Sequence, residues 1–156
     1  MKIKTLLTLL VSIFSLCGFS QDDAQKKNLN LDDGIAIHGY DAVAYFTEGK
    51  AIKGKKELGG ITYKGGLYYF SSAANKETFK KNAAAYEPQY GGWCAYAMGN
   101  DGSKVNVDPE TFKIVSGKLY LFYNKYFTNT LKTWNKDEVR LMKSADANWQ
   151  KIITKK

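Results

Sequence analysis

The sequence predicts an α+β domain, in which short antiparallel β-hairpins pack with a central helix and a C-terminal helix. Three observations predict it. Two pairs of aromatic, β-prone runs flank Gly-containing turns, at Ile61–Tyr63/Leu67–Phe70 and at Phe112–Val115/Leu119–Tyr123. A serine-led segment with helical spacing follows the first pair. The last third of the chain repeats apolar residues at the same spacing. A length of 156 residues suits one domain.

The first twenty residues differ from the rest. Lys2 and Lys4 form a basic start, Leu6 to Leu16 is almost wholly apolar, and Gly18 and Ser20 put small residues before Gln21. That order predicts a secretory signal peptide over 1–20. The apolar run is too short for a helix across ~30 Å of hydrocarbon, so stable membrane insertion after signal removal is not expected. Cys17 raises lipidation as an alternative, against which stands the bulky Leu16 just before it. Export places the protein in the periplasm or outside the cell. Residues 21–34 are polar and read as a flexible leader, so order is expected to begin near Ile35 and the domain to span 35–153.

Val43 to Phe46 reads as a short strand after a turn at His38-Gly39-Tyr40-Asp41. The first hairpin turns at Lys64-Gly65-Gly66. Ser71 or Ser72 then caps a helix whose apolar face is Phe79, Ala83 and Tyr86, with Pro88 at its exit. Trp93 to Met98 is uncharged and reads as a buried strand, followed by a turn over 100–103. The second hairpin turns at Ser116-Gly117-Lys118. A short helix holds Leu131 and Trp134. In the last helix Asn135 and Glu138 resemble a capping box, and Val139, Met142, Ala145, Trp149 and Ile152 form the predicted buried stripe.

The formal charge is +8, two less without Lys2 and Lys4. The lysines are scattered, which favours solubility over a nucleic-acid site, and export also argues against nucleic acid as partner. No dinucleotide loop, P-loop or pair of catalytic carboxylates stands in the sequence, and Gly65-Gly66 and Gly91-Gly92 read as turn or close-packing glycines. Processing leaves Cys94 as the single thiol, open to metal binding, intermolecular pairing or redox chemistry, or simply buried as a small hydrophobe.

Three stretches carry a resemblance. Gly39-Tyr40-Asp41-Ala42-Val43-Ala44-Tyr45-Phe46, the junction Tyr69-Phe70-Ser71-Ser72 with Asn75 and Phe79, and Tyr90-Gly91-Gly92-Trp93-Cys94-Ala95-Tyr96-Ala97 together resemble secreted YHS-domain proteins. The likeness runs from about Ile35 to Trp149. The wider YHS and TRASH group handles heavy metals, often copper, through cysteines. In this chain those cysteine positions fall on Ala44, Ser71 and Asn75, so the group's usual metal site does not carry over.

What remains for a metal is Cys94, His38 and Met98. Thiolate and thioether select Cu(I), and imidazole suits copper or zinc, so the resemblance and the donor types together imply Cu or Zn handling by these residues. A second class of function is metal-free: a small ligand or a protein partner recognised by exposed aromatics of the hairpins, Tyr63, Tyr68, Tyr69, Phe70, Tyr120, Phe122 and Tyr123. Haem held by His38 is a minor variant of it. A third class is a thiol enzyme with Cys94 as nucleophile and His38 as base, for which the sequence ties neither Asp41 nor Asn106 to His38 as orienting group. Binding is thus expected over catalysis.

Overall fold

The computed structural model describes residues 27–155. The predicted signal segment, Cys17 and the start of the predicted leader lie outside the described residues. The α+β reading holds. A four-stranded sheet has the order β1-β2-β4-β3, from β1 (Leu31–Asp32), β2 (Ile35–Ala36), β3 (Ile61–Tyr63) and β4 (Gly66–Tyr68); only the β2–β4 pair is parallel. Two further antiparallel hairpins follow, β5 (Asp108–Val115) with β6 (Lys118–Phe122), and β7 (Asn124–Lys125) with β8 (Thr128–Asn129). The helices are α1 (Ala44–Thr47), α2 (Ala73–Lys81), α3 (Ala95–Asn100), α4 (Thr130–Trp134) and α5 (Glu138–Thr154). Among the described residues, no helix is long and apolar enough to cross a membrane.

Among the described residues, four hairpins close in the same way. Their two-residue loops are Asp33-Gly34, Lys64-Gly65, Ser116-Gly117 and Tyr126-Phe127, and both residues of each loop have positive φ. Such loops match the right-handed twist of the flanking strands, and they favour glycine because a Cβ is strained in the left-handed region. Three of the four loops supply that glycine. The fourth places two aromatic residues there, Tyr126 at φ 49° and Phe127 at φ 64°.

Two apolar cores fill the domain. One gathers Val43, Tyr45, Phe70, Phe79, Cys94 and Leu119 beneath the larger sheet and α2. The other gathers Met98, Tyr120, Phe122, Trp134, Leu141 and Trp149, between β6 and the C-terminal helices. Helices α3 and α5 meet closely at Gly99, where an added Cβ would lie 2.5 Å from the Leu141 carbonyl oxygen. Only glycine fits that crossing.

Several expectations change. Val43 to Phe46 does not form a strand. Asp41 Oδ1 accepts from the N–H groups of Val43 (2.9 Å) and Ala44 (3.4 Å), and this cap starts helix α1 instead. The Trp93–Met98 run is not a strand either, because Ala95 onward is α3. A helix buried all round has no apolar stripe, and periodicity cannot tell it from a buried strand. The buried face of α5 is Leu141, Ala145, Trp149 and Ile153, while Val139 is 85 % exposed. Ala145 and Trp149 lie on both stripes, so the real face is the predicted one rotated slightly. No side chain caps α5 at Asp137, and the Asn135–Glu138 box is not formed: Glu138 accepts from Lys113 and Trp134 instead.

A further change concerns the leader. Order begins before Ile35. Asn30 is buried, its Nδ2 donates to the Gly92 carbonyl and to Asn106 Oδ1 (both 3.0 Å), and its N–H donates to Gly91. Polar composition hid this, because the segment docks through hydrogen bonds to a glycine turn and only Leu31 adds apolar contact with the first core. The serine cap is as expected, since Ser72 Oγ accepts from Asn75 N–H, but α2 ends at Lys81, so Ala83 and Tyr86 of the predicted face lie after the helix and Pro88 is not its exit.

Candidate functional site

Asp41 organises the first part of the chain. Its carboxylate is fully buried. Besides capping α1 through Oδ1, it accepts at Oδ2 from Ser71 N–H (2.7 Å), Ser71 Oγ (2.7 Å) and Asn75 Nδ2 (2.8 Å). The three positions to which the resemblance assigns metal-binding cysteines, Ala44, Ser71 and Asn75, therefore converge on one carboxylate. Their donors are used up in closing its hydrogen bonds. A buried ion held by five N–H and O–H donors is a structural knot.

The turn bearing His38 is strained. Ile37 (φ 51°) and His38 (φ 50°) both sit in the left-handed region, which is unusual for a β-branched residue. The turn is held by Lys53 Nζ, which donates to the His38 carbonyl (2.9 Å), and by Gly54 N–H, which donates to the Gly39 carbonyl (2.9 Å). The His38 imidazole meets Asn106 Oδ1 at 2.9 Å. That oxygen also accepts from Asn30 Nδ2 and Val107 N–H, two groups that can only donate, so the amide orientation is fixed. His38 Nε2 must then carry the proton it shares with Asn106, and Nδ1 is the nitrogen left with a lone pair when the ring is neutral.

Cys94 lies fully buried in the first core. Its Sγ accepts from Tyr123 N–H (3.4 Å) and lies 3.4 Å from Thr130 Oγ1. The Thr130 hydroxyl donates its single hydrogen to the Tyr123 carbonyl (2.9 Å), so the thiol is the donor towards Thr130. Both hydrogen-bonding roles of the sulfur are thus occupied inside the protein. Met98 starts one helical turn further on, but its side chain packs in the other core.

The structure does not bring Cys94, His38 and Met98 into one site. The sulfur of Cys94 faces Tyr123 and Thr130, His38 faces Asn106, and Met98 faces Trp134 and its neighbours. Among the described residues, no Cys94–His38 hydrogen bond forms, and no group of three or more His, Cys, Asp or Glu is placed to hold a metal ion. The thiol-enzyme arrangement lacks its base for the same reason. We therefore expect Cys94 in the folded chain to react with an aromatic disulfide reagent at least ~100-fold more slowly than in denaturant, followed at its own peptide by mass. Rapid stoichiometric reaction in the folded state would return Cys94 to candidacy.

The hairpin aromatics are mostly core. Tyr68, Phe70, Tyr120 and Phe122 are buried, and Tyr63, Tyr69 and Tyr123 are half-buried. The exposed pair is one that the sequence reading passed over. At the β7–β8 tip, Tyr126 is 87 % exposed and Phe127 fully so. Asn124 and Asn129, which pair across the hairpin, were the one available signal, because asparagines flanking a short run favour turns.

A polar cleft of about 420 Å³ lies between Pro88–Tyr90 and α5, with Glu87, Gln89, Lys118, Asp146 and Gln150 on its walls. Tyr90 donates to Asp146 Oδ1 (2.9 Å); burial first, and then that carboxylate, raise its phenol well above the usual range, so it keeps its proton at neutral pH. Glu87 is already bonded to Lys64 (3.1 Å).

No family model, curated relative or solved structure matches this chain.

Proposed function

We propose that the chain is an exported interaction module of the YHS type, which docks through the Tyr126-Phe127 tip and catalyses nothing. The observation that carries this reading is the tip itself. Three of four equivalent loops relieve their left-handed backbone with glycine, and the fourth keeps two large aromatic side chains in water. Left-handed backbone at a non-glycine residue costs on the order of 1 kcal/mol, and such strain concentrates at functional sites. Exposed aromatic side chains in turn supply much contact area at low entropic cost. The sequence features of an exported chain and the Asp41-centred junction agree with the reading.

The test is a loop exchange. Tyr126→Asn with Phe127→Gly installs the residue pair this turn prefers. The variant is expected to be as stable as the parent or up to ~1 kcal/mol more stable, and to lose retention on isolated cell-envelope fractions. Unchanged retention would overturn the reading. The copper-type alternative separates cleanly in a Cu(I) and Zn(II) competition titration with Cys94→Ser and His38→Ala. Docking without a metal predicts binding no tighter than to a free thiol and insensitive to His38→Ala. Tight one-to-one binding weakened by either substitution would favour the metal instead.

A further inference from the structure

We infer that the partner of the Tyr126-Phe127 tip is an anionic lipid surface; this rests on the docking role proposed for the tip. Charge carries the inference beyond exposure. From Thr111 to Lys136 the chain has no Asp or Glu and five lysines, Lys113, Lys118, Lys125, Lys132 and Lys136. Lys125 stands next to Tyr126 on β7, and Lys132 and Lys136 follow β8 on and just after α4; all three are exposed.

The carboxylates that border this stretch all have partners, and Asp108 stays beside the hairpin through Thr111, whose Oγ1 accepts from Asn124 of β7 (2.9 Å). Glu110 accepts from the Tyr40 hydroxyl (2.8 Å), and Asp108 accepts from Glu110 N–H and from Thr111 Oγ1 (both 3.0 Å). Asp137 pairs with Arg140, and Glu138 with Lys113 (2.7 Å). In the chain on either side of the tip, Lys125, Lys132 and Lys136 thus outnumber Asp108 and Glu110, whose partners are neutral, while Asp137 and Glu138 are offset by Arg140 and Lys113.

That combination matches the boundary of a negatively charged bilayer. A phenol rests at headgroup level, with its ring towards the acyl chains and its hydroxyl in water, and a phenylalanine ring enters deeper. Lysines beside them gain from the negative surface potential, an attraction that salt screens. Two aromatic side chains bury too little area for permanent insertion, so association is weak, reversible and dependent on both elements. An acidic protein surface is the competing occupant, and the vesicle experiment separates the two.

The experiment is co-sedimentation of the chain, as recovered after export, with vesicles of phosphatidylcholine alone and with 30 % phosphatidylglycerol (roughly the anionic content at which surface potential becomes strong). Binding is expected to the anionic vesicles only, to fall several-fold between about 50 and 300 mM salt, and to drop about tenfold in Tyr126→Asn/Phe127→Gly. Lys125→Gln/Lys132→Gln, at two exposed positions, is expected to lose several-fold on the same vesicles, with unchanged thermal unfolding. Equal binding to neutral vesicles, or equal binding by the loop variant, overturns the lipid assignment. Envelope retention that needs the tip while vesicles are not bound overturns lipid as partner and leaves the docking role standing. Loss of neither in the loop variant removes both.

Discussion

Asp41→Ala is expected to destabilise the protein by about 4 kcal/mol, enough to leave much of a marginal domain unfolded at 37 °C. The side chain is fully buried, and its two oxygens accept five donors from three separate parts of the chain: the start of α1, Ser71, and Asn75 in α2. Alanine removes the acceptor and leaves the Val43 and Ser71 N–H groups and the Asn75 amide facing a dry void. Each unsatisfied buried donor costs roughly 1–3 kcal/mol, and the losses overlap because the donors share one site. Asp41→Asn keeps one acceptor oxygen but turns an NH2 towards other donors, so it is expected to lose nearly as much. Urea midpoints at constant m-value measure both. A loss below ~1 kcal/mol for the alanine variant would mean that water or a neighbour replaces the carboxylate and that the knot is not structural.

The second large effect is expected at Phe79. Phe79→Ala should destabilise by about 3–5 kcal/mol, with Phe79→Leu recovering more than half of it. The ring is fully buried at the middle of an aromatic cluster, with centroids at 4.8 Å to Tyr68, 5.2 Å to Phe70, 5.9 Å to Tyr63 and 6.5 Å to Tyr86. These partners come from β3, β4, the residues just after β4 and the segment after α2, so no single neighbour can collapse into the void. The cavity is therefore expected to persist, which puts the cost at the upper end of the large-to-small range. Thermal unfolding and urea titration together check it. A cost under ~1.5 kcal/mol would show that the sheet and α2 close the gap by sliding together.

The two variants probe different physics. Asp41→Ala removes polar satisfaction and should hold its effect across temperatures where the hydrophobic term varies. Phe79→Ala removes apolar burial and packing. Neither touches the hairpin tip, so any fraction that remains folded should still bind anionic vesicles like the parent.

Much of the fold was legible because it is written in short-range chemistry. Lys64-Gly65 and Ser116-Gly117 announce their hairpins by the residue that a left-handed loop needs, and Ser72 announces α2 by the hydroxyl that its first turn needs. The sequence misled where two chemistries share one pattern. Val43-Ala44-Tyr45-Phe46 has strand propensity, and the helix there exists because Asp41 offers two acceptor bonds to its first amides. Ala95 to Met98 is apolar on every side, and burial all round erases the periodicity that would mark it as a helix.

For the candidate site the residue types were legible and their assembly was not. Cys94, His38 and Met98 are the right atoms for copper, but a ligand set is defined by where the side chains point. Sγ of Cys94 turns towards Tyr123 and Thr130 because β6 and α4 pass beside it, and nothing within a few residues of Cys94 encodes that approach. The tip was missed for the opposite reason. Tyr126-Phe127 reads locally as more core, like the aromatic runs before it, and only the pairing of Lys125 with Thr128 puts it in a loop.

By itself the sequence determined the α+β class, the two long hairpins, the serine-capped helix and the C-terminal helix. Each rests on contacts between residues close in the chain: loop φ values, caps and helical spacing. Tertiary structure alone decided that Ala44, Ser71 and Asn75 meet on Asp41, that the leader docks through Asn30, which face of α5 is buried, and that one aromatic pair stays in water. Those outcomes depend on which distant segments supply hydrogen-bond acceptors and apolar area, and that is set by the packing of the whole chain.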